Sequence, residues 1–352
     1  RITKFNSVIK IGKNLIGENY SPYIIGEIGL CHNGSVVIAK ELIKICAEAG
    51  CKAVKLQTYQ EGRISSKVLD ARHHEDILDL EENLNTLFNR LIFSYEETKE
   101  LFDYASSKNI DIFSTPFDID SVKMLEKLDA PAYKISSMDL INLPLIRAVA
   151  STQKPMIIST GMSTLGDIEE AVNIVLEVGN PNLILLHCVS SYPASASESN
   201  LLMIKKLADT FQVVSGFSDH FPEIHLSSAA VALGARVIEK HVTLDRNMKG
   251  PDHIFSLEPD AIKTLVKHSN ETFLALGSGV KKISTSEYGT IQNLRRSIFA
   301  AVDIKEGDEI TSDMLVIKSP GIGLLPKYME IVVGRIAKVD IKADYPLNWD
   351  LI

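Results

Sequence analysis

Two lysines sit where a charge is costly. Lys55 lies in Ala53-Val54-Lys55-Leu56 and Lys134 in Ala132-Tyr133-Lys134-Ile135, each inside a short apolar run. A buried ammonium without a partner would rather lose its proton, so each needs a carboxylate or a bound anion. Glu27 and Glu239 are candidate ion-pair partners. Two such lysines on different strands, with Thr115, Ser137, Ser159, Ser190 and Ser218 at neighbouring strand ends, favour a bound phosphate or carboxylate instead. A phosphate needs several donors from different directions, and this array supplies them.

His220 and His241 follow two further apolar runs. On adjacent strands, ~4.8 Å apart, two inward imidazoles could share one divalent metal with open positions for Lewis-acid work. The competing reading is a pair of polar core histidines. His32, His187 and His253 are weaker candidates, and His73 and His74 read as exposed. Glu27 could accept a proton or hold a sugar hydroxyl, or it could pair with Lys55. Lys55 with Gln57, Ser218 with His220, and Glu239 with His241 are two apart, so each pair faces one side of its strand.

These residues need a scaffold that gathers strand ends. Short apolar runs occur at Tyr23–Ile28, Ala53–Leu56, Ile110–Phe113, Ala132–Ile135, Met156–Ile158, Leu183–Leu186, Val213–Phe217 and Val237–Ile238, eight in all. Amphipathic helical stripes alternate with them. One runs from Ile38 to Ala49 and stops at Gly50; another opens at Ser163-Thr164-x-x-Asp167, a capping-box pattern, and closes at Gly179. Further stripes cover Glu97–Lys108, Ile119–Leu128, Leu143–Ala150, Leu201–Phe211, Ile224–Leu233 and Pro259–Leu276. Strands alternating with helices must be parallel, and eight units close into a (β/α)8 TIM barrel of roughly 250 residues. A doubly wound open sheet is the rival, but no G-x-G-x-x-G follows the first strand. The hairpin expected over Val8–Ile16 would close the barrel floor, and 62–90 is a long insertion beside the active-site mouth.

The expected domains are therefore a barrel with its hairpin over 1–283, a linker over 284–293 and a small β-rich domain over 294–352. In the last, strand-like runs fall at Ser297–Ala301, Ile310, Leu315–Ile317 and Ile331–Ala337. The 352 residues carry 45% hydrophobic and 23% charged side chains, enough apolar matter for a sizeable core. A formal net charge of −8 argues against a nucleic-acid binder. No apolar run is long enough to span a bilayer. Arg1–Lys13 lacks an h-region, and Cys31, Cys46, Cys51 and Cys188 form no C-x-x-C pair. The expectation is a cytoplasmic protein with free thiols and no membrane partner.

At these same residues the sequence resembles the sialic acid synthase family. The resemblance is carried in order by Glu27-Ile-Gly-Leu-Cys-His32-Asn33-Gly34, Lys55-Leu-Gln57-Thr58, Ser114-Thr115-Pro116-Phe117 and Tyr133-Lys134-Ile135. It continues through Ser159-Thr160-Gly161-Met162, His187-Cys188, Tyr192-Pro193, Phe217-Ser218-Asp219-His220, Ile238-Glu239-Lys240-His241 and Gly250-Pro251-Asp252-His253. It covers nearly the whole chain. It implies a barrel followed by an antifreeze-like (SAF, β-clip) domain, and a domain-swapped homodimer whose small domain covers the partner's barrel mouth. The implied reaction joins phosphoenolpyruvate to the open-chain aldehyde of an N-acylmannosamine-type sugar, giving a sialic-type acid and phosphate.

By resemblance, Lys55, Thr115, Lys134, Ser137, Ser159 and Ser218, with Gln57 and Ser190 beside them, hold phosphoenolpyruvate. Glu27, Gln57, Tyr192 and Asp252 surround the sugar, and His220 and His241 hold manganese(II), with magnesium or cobalt(II) as alternatives. The implied catalytic set is Glu27, Lys55, Lys134, Tyr192 and His220. Two positions depart from the pattern. The family's K-R-P-G-N-G stretch reads Lys318-Ser319-Pro320-Gly321-Ile322-Gly323, so Ser319 replaces an Arg that would reach the N-acyl group; either Lys318, Lys327 or Arg296 substitutes, or the amino-sugar contact differs. Ser190 stands where bacterial members often carry Asn. A class I Schiff-base aldolase and a synthase acting on a phosphorylated sugar are the alternatives, and the histidine pair leans against the aldolase.

Overall fold

The computed structural model describes residues 2–65 and 84–352; His73 and His74 lie outside them. The chain divides into two compact units, Arg1–Gly277 and Ser278–Ile352.

In the first unit eight parallel strands close a barrel. They are β3 (Tyr23–Glu27), β4 (Ala53–Thr58), β5 (Asp111–Pro116), β6 (Tyr133–Ile135), β7 (Met156–Ser159), β8 (Leu183–Cys188), β9 (Val214–Asp219) and β10 (Val237–His241). They run in chain order, and β10 pairs with β3 to shut the ring, which excludes the open sheet. Preceding them, β1 (Val8–Ile11) and β2 (Asn14–Gly17) form an antiparallel hairpin.

Strand alternation divides the residues into two sets. Outward side chains such as Ile24, Val54, Ile112, Met156, Leu183 and Ile238 pack with the apolar faces of the surrounding helices. Inward ones, Tyr23, Ile25, Ala53, Phe113, Ala132, Ile157, Ile184, Leu186, Val214 and Val237, form a separate core with Ile9, Ile11 and Ile16 of the hairpin. The hairpin therefore plugs the floor, as its apolar alternation predicts. Most inward rows are apolar near the floor and reach a polar residue at the C-terminal end of the strand, as in Tyr23-Ile25-Glu27, Ala53-Lys55-Gln57, Ala132-Lys134, Ile157-Ser159 and Val237-Glu239-His241; the β5 row instead starts at Asp111, which accepts from Tyr23 and Asn14.

Local signals place the helices. Ser35 caps Val36–Ala49 by accepting from the Ile38 amide at 3.3 Å, and Gly50 closes it in the left-handed conformation. Thr164 and Asp167 form the expected reciprocal capping box at the start of Leu165–Val178. Ser94 and Glu97 form another on Tyr95–Ser107.

The second unit holds a two-stranded antiparallel sheet, β11 (Ser297–Ala300) and β12 (Leu315–Lys318), over a core including Ile298, Ile304, Ile310, Leu324, Val332, Ile341 and Leu347. Two expectations change here. The run Ile331–Ala337, read as strand from its β-branched residues, begins inside a short helix (Met329–Val332), and only Ile336 makes an isolated bridge, to Glu309. The stretch 284–293, expected as linker, holds a 3-10 turn (Thr285–Glu287) and most of a helix (Tyr288–Leu294). Among the described residues no helix is long and apolar enough to cross a membrane.

Candidate active site at the C-terminal end of the barrel

All the candidate site residues of the barrel line one cavity of about 320 Å³. Glu27 ends β3, Lys55 and Gln57 lie on β4, Thr115 on β5 and Lys134 on β6. Ser159 ends β7, Ser218 lies on β9, and His241 ends β10. Ser137 opens a 3-10 turn after β6, while Ser190, Tyr192, His220 and Asp252 come from the loops after β8, β9 and β10. Each strand residue in this set lies on an inward row of its strand.

Four charged groups occupy the depth of the cavity. Lys55 Nζ stands 2.9 Å from Glu27 Oε2 and 3.7 Å from Glu239 Oε2, and donates to Thr115 Oγ1 at 2.8 Å. Lys134 Nζ lies 3.6 Å from Glu239 Oε1, which also accepts from Ser218 Oγ at 2.9 Å. Both lysines thus take the carboxylate partners that sequence offered, and both still face the cavity. Glu239, considered only as a possible ion-pair partner, is the hub between them.

Burial sets the electrostatics. It pushes the Glu27 carboxyl up to about 7, against the pull of Lys55 and with Glu239 adding to the rise. Burial also works against an ionised Glu239, but Lys134 and Lys55 together hold its carboxyl well below the usual range. The Lys55 ammonium loses hydration yet is kept above its ordinary value by Glu239 and Glu27, whereas burial leaves Lys134 below its own. Gln57 Nε2 donates to Glu27 Oε1 at 3.0 Å and fixes that carboxyl's orientation.

A hydroxyl cradle lies beside the lysines. The Gly161 amide donates to Ser137 Oγ at 3.0 Å, while the buried Ser159 and Ser190 hydroxyls have no hydrogen-bond partner among the described residues. A Cβ at Gly161 would fall 2.2 Å from Ser190 Oγ and 2.9 Å from Ser137 Oγ, so this position must be glycine for the cradle to exist. Two donors held without partners in a buried site fit an oxyanion.

The histidine pair fits a divalent ion. The His220 and His241 ring centroids are 5.5 Å apart. His220 Nδ1 lies 2.9 Å from the Val189 carbonyl, a contact that favours the proton on Nδ1 and a free lone pair on Nε2. Burial, reinforced by His220, drives the His241 pKa well below its usual value, so that imidazole is neutral. His241 Nδ1 is 3.7 Å from Asp252 Oδ2, itself anchored by the Leu30 amide at 3.0 Å. Gly29 makes that approach feasible, because a Cβ there would lie 2.7 Å from Asp252 Oδ2. No cluster of three or more His, Cys, Asp or Glu side chains suited to a metal occurs among the described residues. Tyr192 packs against His220, with ring centroids 4.3 Å apart, and against Phe255 at 5.1 Å.

The weaker histidine candidates are structural. His187 Nε2 meets the Ser199 carbonyl at 2.7 Å, His253 bridges Thr243 and Asn33, and His32 receives the Gly34 amide and packs on Phe93. Lys240 points away from the cavity and pairs with Asp219 at 3.0 Å. Sequence reading missed the cavity role of Cys188, treated only as a free thiol, although Ile184, Leu186 and Cys188 share one inward row. It also missed Leu30, Ile64, Phe88, Phe117, Met138 and Met162 in the lining, since apolar side chains carry no chemical signal. In the second unit, Ser319 Oγ donates to the Leu294 carbonyl at 2.9 Å, and Lys318 is committed to Asp344. Lys327 lies over the Tyr328 ring, 5.0 Å from its centroid, and Arg296 is exposed.

The NeuB family model matches residues 42–281, and a SAF domain model matches residues 295–352. The chain belongs to the NeuB family. Among relatives of this NeuB-family chain, the N,N'-diacetyllegionaminic acid synthase of Campylobacter jejuni is 41% identical, covering 91% of this chain and 97% of that protein. The pseudaminic acid synthase of Helicobacter pylori is 34% identical over 94% and 97%. The crystal structure of the N-acetylneuraminic acid synthetase of Leptospira borgpetersenii, bound to citrate, superposes with a TM-score of 0.71 at 33% identity, covering 82% of this chain and 96% of that one.

Proposed function

We propose that this chain condenses phosphoenolpyruvate with the open-chain aldehyde of an N-acylmannosamine-type sugar and water, releasing phosphate and a nonulosonic acid. The observation that carries the reading is the convergence of two buried lysines, a serine cradle and a histidine pair on one cavity in a NeuB-family chain.

Lys55, Thr115 and Lys134 would hold the substrate's carboxylate; Ser137, Ser159, Ser190, Ser218 and the Gly161 amide would hold its phosphate. An anion arriving at Lys55 competes with Glu27 for that ammonium, so Glu27 becomes free to exchange a proton at Oε2. Carbon–carbon bond formation at the aldehyde leaves an electron-poor C2, to which water adds as Glu27 removes its proton. Breakage of the C2–oxygen bond then expels phosphate into the hydroxyl cradle, while the lysine pair keeps the carboxylate in place. When held by His220 and His241, a divalent ion, manganese(II) first and magnesium or cobalt(II) otherwise, supplies Lewis-acid polarisation of the aldehyde oxygen. Tyr192 and Asp252, beside the two imidazoles, would orient the sugar.

Family membership also supports a domain-swapped homodimer, and the four buried free cysteines suit a reducing cytoplasm. The test is a reaction run in heavy-oxygen water. Label in the acid product and none in the phosphate supports this route; labelled phosphate contradicts it.

A further inference from the structure

Beside the two histidines lies a charged pair that faces the other way. Asp219 ends β9 and precedes His220, while Lys240 on β10 precedes His241. The two are register partners on adjacent strands. Alternation puts them in the outward rows of Phe217 and Ile238, as their histidine neighbours turn into the cavity. Lys240 Nζ stands 3.0 Å from Asp219 Oδ2, and the two side chains are 1% and 0% exposed. An ion pair this deep is a poor source of stability, because taking both charges out of water costs about what their attraction returns. What it offers instead is direction.

The pair's remaining contacts go to the chain that follows His220. Asp219 Oδ1 accepts from the Phe221 amide at 2.8 Å, and Oδ2 accepts from Ser227 Oγ at 2.6 Å. Lys240 Nζ donates to the Phe221 carbonyl, and to the Glu223 carbonyl at 3.0 Å. Arg246 takes the carbonyl between them: its Nη2 donates to Pro222 at 2.9 Å, and its Nε to the Ser256 carbonyl at 2.7 Å. Three successive carbonyls after His220 are thus received by two cations from the chain around His241. On its other side, the His220 carbonyl accepts from the Ala194 amide at 3.1 Å. The backbone of His220 is therefore fixed relative to the strand that carries His241. Two imidazoles share one ion well only when their separation is set beforehand, since ordering a loose pair costs affinity.

We propose that Asp219, Lys240 and Arg246 are positioning residues that set the spacing of His220 and His241 for a divalent cation. None of the three lines the cavity, so they act through the histidines alone. The proposal rests on the metal-site reading above and deepens it.

The test titrates the full chain with manganese(II), without substrates, and reads the free ion by electron paramagnetic resonance. In the double variant Asp219→Asn with Lys240→Met both charges leave together, so no buried charge is stranded. The asparagine keeps an acceptor for the Phe221 amide, while the donors to the Phe221 and Glu223 carbonyls are lost. Groups that orient metal ligands are worth roughly 10- to 100-fold in metal affinity. The manganese(II) Kd should rise within that range, with phosphoenolpyruvate affinity in calorimetry unchanged. Arg246→Met, which removes one donor nearer the surface, should weaken manganese(II) by a smaller factor and keeps the test valid if the double variant folds poorly. Wild-type manganese(II) affinity in these variants, or equal losses of manganese(II) and phosphoenolpyruvate, overturns the positioning role. Should wild type bind no manganese(II), the metal-site reading itself fails, and hydrogen exchange at the Ala194 amide tests the clamp alone. Faster exchange there, with the Val8–Ile11 strand unaffected, supports the clamp; unchanged exchange overturns it.

Discussion

Replacing Glu239 by Gln separates the two jobs of the buried charges. Its carboxylate stands 3.6 Å from Lys134 and 3.7 Å from Lys55. After Glu239→Gln, Lys55 keeps Glu27 at 2.9 Å, while Lys134 keeps the Ile135 carbonyl at 3.2 Å but no charged partner among the described residues. Removing one member of a buried ion pair costs about 3–5 kcal/mol. Lys134 already has a depressed pKa from burial and can escape part of that cost by releasing its proton. The expected loss is therefore at the lower end, about 3 kcal/mol. An anionic ligand would then supply the missing negative charge. Phosphoenolpyruvate should stabilise Glu239→Gln more than it stabilises wild type, by more than half of what the substitution removed. Urea melts with and without saturating ligand measure both quantities. A variant as stable as wild type, or equal ligand stabilisation in the two proteins, would refute the placement of Glu239 as the hub of the lysine pair.

Three further outcomes follow from the same geometry. Lys134→Met should raise the phosphoenolpyruvate KM by on the order of 30-fold or more, the scale of losing a buried charge-assisted contact; near-normal KM and kcat in steady-state assays would remove Lys134 from the anion site. Glu27, with a folded value near 7 against an ordinary 4.5, binds protons on folding, so its contribution to stability is full below 4.5 and is lost as pH rises to 7. Activity should move the other way, rising through the same region as Glu27 ionises to act as base, and Glu27→Gln should flatten that limb of a pH–rate profile. Gly161→Ala should weaken phosphate binding in calorimetry through its Cβ, 2.2 Å from Ser190 Oγ, and cost about 1–3 kcal/mol in chemical denaturation.

The barrel was legible because its inward and outward rows obey a strict two-residue period, and the same period placed Lys55 with Gln57 and Glu239 with His241. Strand ends were less legible for an instructive reason. The strands ending at Thr58, Pro116, Asp219 and His241 run past the apolar runs that marked them, because the added residues include polar groups of the site: Gln57, Thr115, Ser218, Glu239 and His241. Glu239 was hidden by ambiguity: a carboxylate beside two lysines reads equally as a partner or as a bystander until its distances are known. The cavity roles of Phe88, on the helix Leu84–Arg90, and of Met162 were invisible because an apolar side chain at a site resembles core. The helix at Met329–Val332 overrode the strand preference of Ile331, Val332 and Val333, since Val332 is buried in the small domain's core through that turn.

The most direct measurement is phosphate release from phosphoenolpyruvate with manganese(II) across acetamido and diacetamido mannose- and altrose-type sugars, each repeated with a chelator. The account predicts release that requires a sugar, is abolished by chelation and is restored by added metal. Folded, metal-loaded protein that releases no phosphate with any of these sugars, or release that continues undiminished in the chelator, would contradict it.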